Sequence, residues 1–479
     1  MAAKSFSLPK ISLSLEPQIA WIAILGFVIP VALCLLIRFS SILQIIFPVG
    51  ALAVGTLLYL RYPILYLGFN WWLWFLAPFI TRLVEYQNGI VNPGMRFIIL
   101  SPYLVTMLTA ITFFKHLPRL HRKGGTPFIL VFVSIVYALL MGLAKGNPIP
   151  QAIQGVLSWL PGVFFGVHLM INWQDYPKFQ QNTQRVFLWG ILVMGSYGVY
   201  QYIVAPEWDT FWLRNAEDLQ LCCGWPEPLQ IRVWSTLNFP FTFAYAMMAC
   251  LLICLGGRSS MVVPSVVVGF LSFLLSQVRG AWLGWLIGMM SFWITLKPNL
   301  KFRVIVMFLA ITIFLVPLIT MTDLAGGIIS RLQSLSDVQG DYSAAERQEI
   351  YAQLVNGALS EFLGRGMGGK AIIDAGILDV IATLGWLGFM FYAGGILLIL
   401  FTLYGYTETR LDPFMNAARS IVPSILVTLP FNNALVLLPG ILFWGFAGMT
   451  ISAHQYHVYQ KSLMYKRPIN PTSDSSPHS

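Results

Sequence analysis

Apolar stretches of about twenty residues recur along this chain from residue 20 to residue 453, and a bilayer core of about 30 Å is crossed by that length of helix. Such stretches lie at 20–37, 42–60, 63–81, 96–114, 127–144, 151–172, 186–204, 237–256, 260–277, 280–296, 304–322, 378–404, 416–433 and 436–453, about fourteen in all. With 57% hydrophobic and 10% charged residues and a mean hydropathy of +0.72, the composition is far from the ~25% charged content of soluble domains. No gap between the stretches holds a separate soluble domain of the usual size. The predicted fold class is all-α: a polytopic transmembrane helical bundle with one long loop, 323–377, on the side away from the N-terminus.

Orientation follows from the basic residues. Most of the 29 Lys and Arg, including Lys115, Arg119, Arg122 and Lys123 and then Lys297, Lys301 and Arg303, fall on the side of the N-terminus. The positive-inside rule therefore predicts that both termini face the cytosol. The first span follows a polar start carrying Lys4 and Lys10, with no small-residue cleavage pattern, so no cleavable signal is expected. The net charge of +10 is accounted for by topology, and no nucleic-acid partner is needed. Cys34, Cys250 and Cys254 are read as packing residues. Cys222 and Cys223 are adjacent and poorly placed to bridge, so neither a disulfide framework, a metal site nor a cofactor is expected.

Two outward segments have the polarity that chemistry requires. The first, 205–236, mixes Trp208, Phe211, Trp212, Trp225 and Trp234 with Glu207, Asp209, Glu217, Asp218 and Glu227. It reads either as an interfacial aromatic belt or as a platform on which sugar rings stack while carboxylates accept from hydroxyls. The second, 323–377, is longer than structureless loops usually are. Ser343 to Glu346 forms a capping box, and Ile350, Leu354, Ala358 and Phe362 recur at helical spacing before Gly364. An amphipathic helix is predicted there.

Three arginines flank the apolar spans on this side: Arg232, Arg279 and Arg347. A guanidinium at a span centre costs about 2.5–3.5 kcal/mol, and less near its end, so each calls for an anion. We read that anion as a lipid-linked diphosphate. Arg347 has only Ser343 and Ala344 one turn before it and so needs a partner from outside its helix, whereas Arg365 has Glu361 in the favoured acid-first spacing and reads as a surface pair. The plainer alternatives are an ion pair with Glu227 or another loop acid for Arg232, a snorkelling turn residue for Arg279 and a tertiary salt bridge for Arg347.

These residues carry a resemblance. The run from Arg232 through Thr236 to Pro240, the run Gln277–Val278–Arg279–Gly280, and Arg347 followed by Gly364, Gly366 and Gly368 together resemble, in order, the motifs of the O-antigen ligase and Wzy-type polysaccharide polymerase superfamily. The likeness covers roughly 185–400. It implies a glycosyltransferase-C-like (GT-C-like) fold and an enzyme of the bacterial plasma membrane that transfers glycan from a polyprenyl-diphosphate carrier to an acceptor hydroxyl at the outer face, without metal. A flippase and a chain-length regulator are the protein partners implied. Arg279 and Arg347 would hold the diphosphate, with Arg232 assisting. The superfamily's His before the span that follows the long loop has no counterpart here, where the run is Asp374–Ala375–Gly376–Ile377–Leu378–Asp379. Asp374 is the candidate general base, with Asp379 or Glu361 behind it. Alternatively Asp374 only caps the next helix.

The domain reading follows: N-terminal helices over 1–184, a ligase-like core over 185–405, C-terminal helices over 406–453 and a disordered cytosolic tail over 454–479. Glycines 364, 366, 368 and 369 lack the context of a nucleotide loop and read as a helix stop with a tight approach to the membrane. A membrane transporter of a small solute or anion is the alternative function, disfavoured because no Asp or Glu falls mid-span. A non-catalytic assembly subunit is the third.

Overall fold

The computed structural model describes residues 18–91, 96–215, 222–257, 261–296, 361–369, 375–407 and 412–466, together with the single positions 301, 302, 305 and 309. The helices in chain order are α1 Gln18–Leu36, α2 Leu43–Arg61, α3 Pro63–Asn88, α4 Phe97–Met107, α5 Ala110–Leu120, α6 Thr126–Ala144, α7 Ile149–Ile171, α8 Tyr176–Val204 and α9 Glu207–Asn215. They continue with α10 Pro240–Leu255, α11 Val262–Leu275, α12 Arg279–Ile294, α13 Gly376–Gly405, α14 Pro413–Leu426 and α15 Leu437–Lys466. Among the described residues strand pairing is limited to an isolated antiparallel bridge between Gly224 and Ile231.

Nine helices among the described residues are long and apolar enough to cross a membrane, α4 and α5 counting as one and α8 extended by the turn before it. Every expected stretch except 304–322, nearly all of which lies outside the described residues, has a helix beneath it. The apolar window of α1 is 17% buried and that of α15 is 89% buried, so α1 faces the surroundings while α15 is the central post. Gly162 and Gly166 of α7 meet Gly440, Trp444 and Gly448 of α15 backbone to backbone, the close crossing that small residues permit in membranes.

Four helices are short: α10 and α12 have 16 residues, α11 and α14 have 14. At 1.5 Å per residue these span about 21–24 Å, less than the ~30 Å hydrocarbon core. The expected span 416–433 ends at Leu426, and 427–436 is irregular before α15 begins. At its other end α14 is well defined: Pro413 takes the first helical position, and the Asp412 carboxylate accepts from the N–H groups of Phe414 at 2.9 Å and Met415 at 3.1 Å.

The expected disordered tail needs correcting at its start. Residues 454–466 continue α15 because they still have partners: His457 Nε2 lies 3.1 Å from Asp412, and the Tyr456 and Tyr459 rings pack on Tyr176 and Trp173. Only 467–479 lies outside the described residues.

The glycine-rich segment is set into the bundle. α13 is broken at Gly385, whose φ of 64° and ψ of 174° are non-helical. A break frees backbone groups that a membrane helix must satisfy, and residues 361–369 supply the partners. Arg365 N–H donates to Ala382 O at 2.6 Å, Gly366 N–H to Thr383 O at 3.0 Å, and Trp386 N–H to Phe362 O at 3.0 Å. Met367 N–H donates to Ala138 O at 2.8 Å, while Asn147 Nδ2 donates to the carbonyls of Arg365 and Met367. Gly364 and Gly385 both have positive φ, and a Cβ on either would lie 2.3 Å from the other's backbone nitrogen. Gly385→Ala is therefore expected to destabilise the protein by about 2–5 kcal/mol, read as a lowered unfolding midpoint in detergent. A midpoint equal to wild type would refute the clamp.

Candidate functional site at the ends of the short helices

The short helices place four of their ends together. α10 begins at Pro240 where the loop 222–239 enters, and α11 passes to α12 through 276–278. α14 stops at Leu426 alongside α12: Gly280 faces Phe431, and Gly284 faces the Ser424 carbonyl and Thr428. The irregular segment 427–436 floors this junction of helix ends. Tyr245 of α10 donates its hydroxyl to Asn432 Oδ1 at 3.0 Å. Asn433 Nδ2 donates to Asp379 Oδ2 at 2.8 Å, and Gly376 lies against the Asn432 carbonyl. Asp379, 8% exposed, is thus fixed to the same floor as the N-terminus of α12.

Arg279 is the first residue of α12 and is half-buried. Gln277, two residues earlier, has a φ of 56°, a left-handed turn residue between two helices that share an end. Arg232 is brought to this turn. Its Nη2 donates to Gln277 O at 3.3 Å and its Nη1 to Cys222 O at 2.7 Å. Backbone bonds from Arg232 N–H to Cys223 O at 2.8 Å and from Val233 N–H to Leu275 O at 3.1 Å hold the strip in register. Of the anticipated alternatives for Arg232, the ion pair with Glu227 is not formed, Glu227 accepting from Gln230 Nε2 at 2.8 Å, and the loop acids Glu217 and Asp218 lie outside the described residues. Arg365 pairs with Glu361 at 3.1 Å as its spacing predicts. Arg347 and Asp374 lie outside the described residues, as does the expected amphipathic helix from Ser343 up to residue 360.

The loop carrying Arg232 is anchored by a buried polar hub that the sequence reading missed. Arg82, near the end of α3, pairs through Nε with Asp209 Oδ1 at 3.0 Å, both side chains fully buried. Its Nη1 donates to Leu237 O and to Asn238 Oδ1, and its Nη2 to Ser235 O. Asp209 Oδ2 accepts from Tyr197 and Gln201, each at 2.7 Å, and Gln201 Oε1 accepts from the N–H groups of Trp234 and Ser235. One signal was legible: Arg82 directly follows an apolar stretch, the situation that singled out the other arginines. Its partner, 127 residues away, was not legible.

The aromatic segment divides by environment. Trp212 and Trp234 are 1% and 0% exposed and form a small core with Leu213, Cys223 and Ile231, while Trp208 donates to the Tyr197 hydroxyl at 2.6 Å. Trp225 is 61% exposed, so a sugar platform here reduces to that ring beside Glu227. Cys222 and Cys223 are not joined by a disulfide, their sulfurs lying 3.1 Å apart. The contact with Cys222 and then burial push the Cys223 thiol well above its ordinary range, which disfavours the thiolate. Among the described residues no group of His, Cys, Asp and Glu has the arrangement of a metal site.

No protein-family model matches this chain, and no curated protein matches it.

Proposed function

We propose that this protein transfers glycan units from a polyprenyl-diphosphate carrier to an acceptor sugar hydroxyl, working from the outer face of a bacterial plasma membrane as a polymerase or ligase. The observation that supports this best is that Arg232 binds the turn at Gln277, two residues before Arg279 opens α12. A diphosphate entering there would meet two guanidinium groups and the N-terminus of α12, where the helix dipole favours anions. Arginine suits the task because its fork binds phosphate oxygens bidentately and keeps its charge.

In the reaction the acceptor oxygen bonds to the anomeric carbon while the bond from that carbon to the diphosphate oxygen breaks. Negative charge gathers on the departing diphosphate, so cations fixed beside it stabilise the transition state more than the ground state. The acceptor proton requires a base. Asp374 remains the candidate from the sequence, and Asp379, held by Asn433 of the segment 427–436, is the described alternative. Glu361 is engaged by Arg365. Purified protein in lipid, given a polyprenyl-diphosphate oligosaccharide, is expected to lengthen glycan chains; unchanged glycan together with intact donor would refute the assignment.

The transporter reading keeps one supporting observation. α13 is a broken helix at Gly385, and α14 stops early over an irregular segment beside buried Asp379, features that transporters use around a substrate site.

A further inference from the structure

A second arginine site lies at the opposite end of the bundle. From Arg279, α12 runs to Ile294, about 24 Å, and Thr295 follows it directly. Arg419, halfway along α14 and 2% exposed, donates through Nη2 to Thr295 Oγ1 and to Asn416 Oδ1, both at 3.1 Å. Those two acceptors are themselves joined, Thr295 donating to Asn416 Oδ1 at 2.6 Å, and Asn416 Nδ2 donates on to Phe292 O at 2.8 Å. The guanidinium carbon sits 4.9 Å from the centre of the Tyr404 ring. Arg419 Nε is buried without a hydrogen-bond partner, and among the described residues no carboxylate forms an ion pair with Arg419.

Arg82 provides the contrast: it is buried as deeply in the same bundle and has Asp209 as its counter-charge. A buried cation served only by neutral oxygens and one ring retains a desolvation cost that a counter-anion would relieve. We propose that Arg419, with Thr295 and Asn416, receives the phosphate of an anionic phospholipid from the leaflet at this end, independently of the glycan reading.

Three observations favour a lipid phosphate. The Tyr404 ring that covers the guanidinium is 48% exposed and its hydroxyl meets Ser291 at 2.8 Å, so rotation of one surface ring opens the site. Met290 and Ile294 of α12 and Phe401 of α13 are 62%, 65% and 75% exposed, an apolar wall along which acyl chains can lie. Lys301 sits 5.8 Å over the Trp293 ring, a cation and an indole of the kind found at headgroup depth. On the orientation read from the basic residues this end faces the cytosol, where anionic lipid attracts such groups.

The test compares unfolding midpoints of wild type and Arg419→Met in phosphatidylcholine vesicles, in phosphatidylcholine mixed with phosphatidylglycerol, and in phosphatidylcholine with inorganic phosphate. Wild type is expected to gain at least about 3 °C from phosphatidylglycerol, and Arg419→Met to lose that gain. An equal gain from inorganic phosphate, also lost in the variant, would keep the phosphate site and reassign its source to a soluble ligand. No gain in wild type, or the same gain in both proteins, overturns the proposal. To separate lipid binding from any folding defect of Arg419→Met, wild type is also labelled with a photoreactive phosphatidylglycerol. Adducts within 398–407 or 413–422 support the site, and adducts confined to other segments overturn it.

Discussion

Arg82→Met is expected to lower the stability of the protein by about 3–5 kcal/mol, the usual cost of removing one partner from a buried ion pair. Asp209 would keep its bonds from Tyr197 and Gln201 but would be left as a buried carboxylate without a cation. The carbonyls of Ser235 and Leu237 would lose their donor as well. The damage therefore extends beyond the pair to the strip 233–239, which leads into α10 and positions Arg232. The expected signature is a lower unfolding midpoint with faster proteolysis in 222–239. Arg82→Lys should recover only part of the loss, because one ammonium on a flexible stem does not reproduce three directed nitrogen positions. Replacing both partners, Arg82→Met with Asp209→Leu, should be less harmful than Arg82→Met alone. If Arg82→Met unfolded within about 0.5 kcal/mol of wild type, within the range of ordinary surface changes, the hub would not be the anchor described above.

Arg279→Lys is expected to reduce kcat/KM for glycan transfer by about 10- to 100-fold, the equivalent of one charged hydrogen bond of about 1.5–3 kcal/mol, with the unfolding midpoint unchanged. The charge remains while the fork is lost, so the variant separates geometry from simple attraction. Arg232→Lys should also impair transfer, and it additionally releases the carbonyls of Cys222 and Gln277. The two substitutions should be non-additive, since both act on one turn. Asp379→Asn tests the base: slower turnover with unchanged donor binding would assign the proton to Asp379, and an unchanged rate would remove it.

The spans were legible because apolar composition sustained over about twenty residues leaves little else for a chain to do in hydrocarbon. The early stop of α14 was also written in the sequence, in Pro430 followed by Asn432 and Asn433, turn-forming residues inside an expected span. The mean apolarity of the window outweighed them. The break at Gly385 was illegible, because it depends on backbone donors and acceptors presented by 361–369 rather than on any local breaker beyond one glycine. For the same reason the glycine run was recognised as a tight approach but not as the complement of a broken helix. Arg232 and Arg279 could be singled out individually from burial cost. The approach of Arg232 to the turn before Arg279 could not, since it depends on Gln277 and on Val233 bonding to Leu275. The helix through 454–466 was not legible because the contacts of Tyr456, His457 and Tyr459 are with Tyr176, Asp412 and Trp173, far away in the sequence.

The claim on which the functional reading rests is that the guanidinium groups of Arg232 and Arg279 grip a diphosphate. It is tested most directly by measuring equilibrium binding of polyprenyl diphosphate and polyprenyl monophosphate to wild type and to Arg279→Lys in lipid. We expect wild type to bind the diphosphate at least about tenfold more tightly, about 1.4 kcal/mol, and Arg279→Lys to lose most of that preference. Equal affinity for the two carriers in wild type, or an undiminished preference in the variant, would contradict it.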